Sequence, residues 1–145
     1  MKKKSLSTMI VLGLSLIVAA VLYAANMPEV MVLESTYEKS RTPVTFTHQK
    51  HIDDYEIGCG ECHHDDKGVP LTDLKADDPV EKCIDCHSKP GELKGRQVQG
   101  LSESELLEYH ANAMHGNCVG CHRDYNKEKG KRIAPVLCVG CHTRE

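Results

Sequence analysis

Apolar residues along this chain fall into a few short runs set among polar stretches. Glu29 to Leu33 and Val44 to Phe46 read as two short strands on either side of a polar turn, with Pro43 tolerated at a strand start. Ser102 and Glu105 form the S-x-x-E capping signature, and Leu106, Leu107, Tyr109, Ala111 and Ala113 continue a short helix that presents His110 and His115. Residues 65–81 hold Gly68, Pro70, Pro79 and five aspartates, and residues 88–100 hold Pro90 and three glycines, so both read as loops with solvated charges. The pattern predicts a small, mainly α chain of sparse secondary structure with a short N-terminal β-hairpin.

The first 25 residues follow another logic. Lys2, Lys3 and Lys4 precede an apolar stretch from Met9 to Leu22, broken only by Gly13 and Ser15, and the small residues Ala24 and Ala25 follow. That order is the layout of a secretory signal peptide over 1–25, with cleavage expected after Ala24 or Ala25. The alternative is an uncleaved membrane anchor, since the run reaches the lower end of the roughly 17 to 25 residues that span a bilayer. Either way residues 26–145 form one domain expected outside the cytoplasm, in the periplasm, where thiols oxidise unless something claims them.

Composition adds a constraint. Of the 120 residues after Ala25, 22 are Ile, Leu, Val or Phe, and the chain has one phenylalanine and no tryptophan. A fraction below about 20% marks chains too poor in apolar surface to fold unaided. Something other than aliphatic side chains must therefore fill the interior, and small chains are rescued by disulfides, metals or bulky cofactors. A chain of 145 residues also excludes a large enzyme domain.

The cysteines say which rescue applies. One pentad occurs four times: Cys59-Gly-Glu-Cys62-His63, Cys83-Ile-Asp-Cys86-His87, Cys118-Val-Gly-Cys121-His122 and Cys138-Val-Gly-Cys141-His142. All eight cysteines are used. C-x-x-C-H is the covalent attachment motif of a c-type haem. Positions i and i+3 lie on one face of a helical turn, so two sulfurs reach the two vinyl groups of one porphyrin, and the next residue faces the iron as its proximal ligand. Zinc ribbons and disulfide frameworks also pair cysteines, but neither needs a histidine directly after every second one. Four covalently attached haem c groups, each with its iron, are expected.

Nine histidines less the four proximal ones, His63, His87, His122 and His142, leave His48, His51, His64, His110 and His115 for four distal positions. His64 directly follows His63, and neighbours on a helix point about 100° apart, so it must serve a different iron or none. His48 and His51 sit on one side of a turn and are free to serve two irons. Such sharing draws the haems together, and the domain becomes a haem cluster wrapped by peptide. His115, three residues before Cys118, is preferred over His110, which reads as a surface or supporting residue. Met114 is the methionine nearest a motif, and Met27 and Met31 lie in the lead-in; with histidines available all three read as packing or exposed. Two imidazoles per iron imply low potentials, since neither favours ferrous iron as a thioether does.

At this point the sequence resembles the tetrahaem class III cytochromes c, the cytochrome c3 family of sulfate-reducing bacteria. The resemblance runs from about Val30 to His142. It is carried by Val44-Thr-Phe46-Thr-His48-Gln-Lys-His51, by Cys59-Gly-Glu-Cys62-His63-His64, and by Met114-His115 before Cys118. It implies a cofactor-organised fold and four ligand pairs: His48 with His63, His64 with His87, His51 with His122, and His115 with His142. It implies also that Phe46 packs between haems. Basic members often carry four residues between the cysteines of the second and fourth sites, whereas this chain has two throughout, which is similar to the acidic, type II branch. That likeness implies a basic cytochrome or hydrogenase as donor and a membrane redox complex as acceptor. The lysine patch by which basic members meet hydrogenase is not carried over.

Charge points the same way. Without the leader the chain has 15 basic and 21 acidic residues, a formal −6, and each haem adds two propionates. Such a surface favours a basic redox partner and disfavours nucleic acid; membrane contact is expected only through the leader or a partner complex. The reading is electron transfer rather than catalysis, because five histidines for four positions leave no vacant iron. A terminal reductase with one open iron and a subunit of a conductive extracellular filament are the competing classes.

Overall fold

The computed structural model describes residues 28–38, 41–76 and 78–143. The predicted leader lies outside them. Among the described residues no helix is long and apolar enough to cross a membrane. Strands β1 (Met31–Leu33) and β2 (Val44–Phe46) pair antiparallel, with Met31 opposite Phe46 and Leu33 opposite Val44. Alternation along β2 turns Val44 and Phe46 to the sheltered side and Thr45 to water.

Helix α1 (His48–Asp53) follows directly, then a 3₁₀ turn over Cys59–Glu61, helix α2 (Cys83–Cys86) and a 3₁₀ turn over Gly95–Val98. Helix α3 (Glu103–Leu107) starts at the predicted cap: the Glu105 N–H donates to Ser102 Oγ at 3.3 Å, and the Ser102 N–H donates to the Glu105 carboxylate at 2.8 Å. The single helix predicted through Ala113 is in fact two. Tyr109 turns extended after Glu108, and the backbone here brackets Lys89, whose N–H donates to the Glu108 carbonyl at 2.9 Å, while its carbonyl accepts from the His110 N–H at 3.0 Å. Propensity alone favours continuity here; long-range backbone pairing overrides it.

Helix α4 (His110–Met114) then runs through a π turn (His115–Val119) into α5 (Gly120–Lys129), which ends at Gly130 with φ 62°. The left-handed residue after the last turn is a position glycine takes without strain. Helix α6 (Cys138–Cys141) is the last element. Residues Pro28–Leu74 and Pro79–Glu145 make one unit. Lys75–Asp78 falls in a second, where the Lys75 N–H donates to the Asp78 carboxylate at 2.8 Å.

The interior is the unusual part. Among the described residues only Ala113, 6% exposed, and His110, 9% exposed, are buried. The described residues thus form no apolar core to hold these short helices, in agreement with the aliphatic shortage of the sequence.

Candidate haem-ligation site

Histidine rings meet two by two. The ring centres of His48 and His63 lie 6.2 Å apart, those of His64 and His87 5.8 Å, those of His51 and His122 6.2 Å, and those of His115 and His142 6.4 Å. An imidazole–metal bond of about 2.0 Å, plus about 1.1 Å from nitrogen to ring centre, places two rings roughly 6.2 Å apart across one metal. Other aromatic neighbours in this chain sit as close, Tyr55 and Tyr125 at 6.2 Å among them, so what marks the site is that each C-x-x-C-H histidine meets one further histidine. Elements far apart in sequence supply the partners: α1 gives His48 to the first turn and His51 to α5, and α6 delivers His142 to the π turn. Among the described residues no three His, Cys, Asp or Glu side chains converge on a point, which a zinc site would require.

Six of these eight rings have Nδ1 bound to an acceptor. His51 donates to the Thr47 carbonyl at 2.8 Å, His64 to Asp65 at 2.7 Å, His87 to Leu107, His122 to Pro135 at 2.7 Å and His142 to Thr42 at 2.7 Å. His115 donates to Glu92 Oε1 at 2.8 Å. A carbonyl only accepts, so Nδ1 carries the proton and Nε2 keeps the lone pair that binds a metal. His48 Nδ1 is buried with no partner. Burial, then the neighbouring His51, lowers the pKa of His48; burial, then His48 and His64, lowers that of His63. Both are neutral at pH 7, the state a ligand needs.

The pentads share a local geometry. The His63, His87 and His142 N–H groups donate to the carbonyls of Cys59, Cys83 and Cys138 at 2.8, 2.9 and 2.8 Å, closing one turn around each cysteine pair. The third pentad lies instead within the π turn and α5. None of the eight cysteines forms a disulfide. Burial pushes the Cys118 thiol up to about 11, with Cys62, Cys141, Cys83 and Cys121 adding to the shift, so thiols of all four pentads lie within electrostatic reach of one another. Gly140 is forced by packing: a Cβ there would lie 2.8 Å from the Pro135 Cβ, on the segment whose carbonyl orients His122.

A cavity of about 910 Å³ opens beside Cys138, Cys141, His142 and His115, with Leu33, Val44 and Met114 also on its wall. That is at the upper end of the roughly 300–1,000 Å³ typical of pockets for organic ligands. Phe46 lies against two ligand candidates, its ring centre 5.7 Å from His48 and 4.6 Å from His51.

His110 is the ninth histidine and pairs with no other. It is buried rather than at the surface, and Tyr37 Oη lies 3.0 Å from its Nδ1. Sequence reasoning missed several supports. Asn112 clasps Leu93 by two hydrogen bonds, of 2.8 and 3.1 Å. Asn126 accepts from the Ile133 and Ala134 N–H groups at 2.7 and 2.9 Å and donates to the Ala134 carbonyl at 2.8 Å. Nothing in the pattern marks a single helical asparagine as a loop clasp, because its partners lie beyond any local period.

Attachment thiols in helical turns, imidazole pairs at a two-bond spacing and an interior without side chains to fill it define a protein built to be completed by a covalently bound cofactor. The donor set fits haem c. The profile of the Class III cytochrome C family matches residues 25–142, and the chain belongs to that family. It is a cytochrome c, a multihaem electron-transfer protein. It is similar to a high-molecular-weight cytochrome c of Nitratidesulfovibrio vulgaris, 29% identical over an alignment of 126 residues that covers 81% of this chain and 21% of the relative. The chain thus spans about a fifth of that relative's length.

Proposed function

We propose that this chain is an exported tetrahaem cytochrome of low potential that passes electrons singly between redox proteins. The four histidine pairs carry this reading: each stands beside its own C-x-x-C motif, with ring centres 5.8 to 6.4 Å apart. Cys59 with Cys62, Cys83 with Cys86, Cys118 with Cys121 and Cys138 with Cys141 would attach the four haems as thioethers, and the eight paired histidines would hold their irons. Bound there, haem would supply one-electron chemistry between ferric and ferrous states. The chain's part is to fix each imidazole so that little rearranges when the charge changes.

Two imidazoles per iron support low potentials, and the leader-like 1–25 supports the periplasm. The formal −6 of the chain after Ala25 supports a basic cytochrome or hydrogenase as donor and a membrane redox complex as acceptor. Mass spectrometry of the exported protein tests the reading at once. Four covalent haems and an N-terminus near Asn26 are expected, and the reduced protein should be spectrally indifferent to carbon monoxide. A carbon monoxide response would reveal an open iron and favour the terminal-reductase reading.

A further inference from the structure

Five of the six Nδ1 acceptors are backbone carbonyls, which carry only a partial charge. The sixth is a carboxylate: His115 donates to Glu92 Oε1 at 2.8 Å. We propose that Glu92 is a positioning residue that lowers the reduction potential of the iron held between His115 and His142, and so separates this centre from the other three. The inference rests on the ligation proposed above.

The physical chain is short. A full negative charge on the acceptor draws the Nδ1 proton and makes the imidazole a stronger donor at Nε2. Ferric iron carries one more positive charge than ferrous, so a more basic ligand and a nearby anion both favour the oxidised form. Reduction here is the addition of one electron from an outside donor, with no bond made or broken.

The carboxylate is set in place rather than swinging freely. Asn112 clasps the adjacent Leu93 at both its N–H and its carbonyl, and Asn112 lies three residues before His115 on the same helical rod. Oε2 is taken by the Lys94 ammonium. The two charges differ in shielding: the Glu92 side chain is 24% exposed, that of Lys94 71%. Water therefore screens the lysine at His115 more than it screens the glutamate, and the negative sign prevails.

The test uses the haem-loaded protein with Glu92→Gln and, separately, Lys94→Gln, titrated with dithionite while NMR resolves the individual haems. Glutamine keeps an acceptor oxygen and removes the charge. With E92Q one reduction equilibrium should move about tenfold toward the ferrous form, which is about 59 mV for one electron, and the other three should hold. With K94Q the same centre should move the opposite way by less. If E92Q leaves all four equilibria in place, or moves all four together, Glu92 is only a structural partner and the proposal fails. Mass and optical spectra of the unsubstituted protein separate the two levels. Four haems with six-coordinate iron leave Glu92 to be judged by the titration, and a missing or five-coordinate haem overturns the ligation and this inference with it.

Discussion

His51 and His122 face each other with ring planes only 21° apart, whereas the planes of the other three pairs cross at 64° to 85°. Both rings are anchored. His51 is tied to the carbonyl of Thr47, one turn back in its own helix, and His122 to Pro135 in the loop beyond α5. These hydrogen bonds limit how far either ring can turn.

This difference should be visible in electron paramagnetic resonance of the oxidised protein. Parallel imidazoles act on the same iron orbital and split the pair of orbitals they touch, whereas crossed imidazoles act on both and cancel much of that splitting. One rhombic low-spin signal is expected, together with three of the more axial, large-gmax kind. Four like signals would show that the rings reorient when the haems are attached.

Asn126 should matter more than its place on an exposed helix suggests. Replacing it by alanine leaves the Ile133 and Ala134 N–H groups and the Ala134 carbonyl without their partner, and frees the segment that offers the Pro135 carbonyl to His122. A loss of about 0.5–1.5 kcal/mol is expected, the net worth of hydrogen bonds whose partners water can reach. Denaturant unfolding of the haem-loaded N126A protein measures it, and an unchanged midpoint would place the clasp outside the stability of the fold.

The chain without haem should not hold this structure. With only Ala113 and His110 buried among the described residues, that part of the peptide lacks the apolar burial that offsets conformational entropy. A version with all eight cysteines changed to serine is expected to unfold without a cooperative transition and to show no amide protection in hydrogen exchange. A sharp melt in that protein would mean that side chains alone carry the fold.

Salt should slow the encounter with a basic redox partner. Attraction between an acidic chain and a basic cytochrome acts over about 10 Å at 0.1 M salt and shortens as salt is added. Second-order electron-transfer rates measured by stopped flow should fall steadily with ionic strength. Rates indifferent to salt would direct attention to apolar docking instead.

The strand pair, the cap at Ser102 and the absence of an apolar core were legible because each is written within a few residues or in bulk composition. The break at Glu108–Tyr109 was not, since it depends on Lys89 approaching from twenty residues away. The burial of His110 escaped for the same reason, as its partner Tyr37 lies 73 residues upstream.

Local chemistry sets the inventory: four attachment turns, a histidine after each, and enough further histidines to meet them. Covalent spacing decides this, because i and i+3 share a helical face whatever surrounds them. Which ring meets which, at what angle and against what acceptor is settled only in three dimensions. Thr42 orients His142 across 100 residues, and Glu92 reaches His115 across 23. Hydrogen-bond partners are chosen by where the folded chain brings a carbonyl or a carboxylate, and no period along the sequence encodes that meeting.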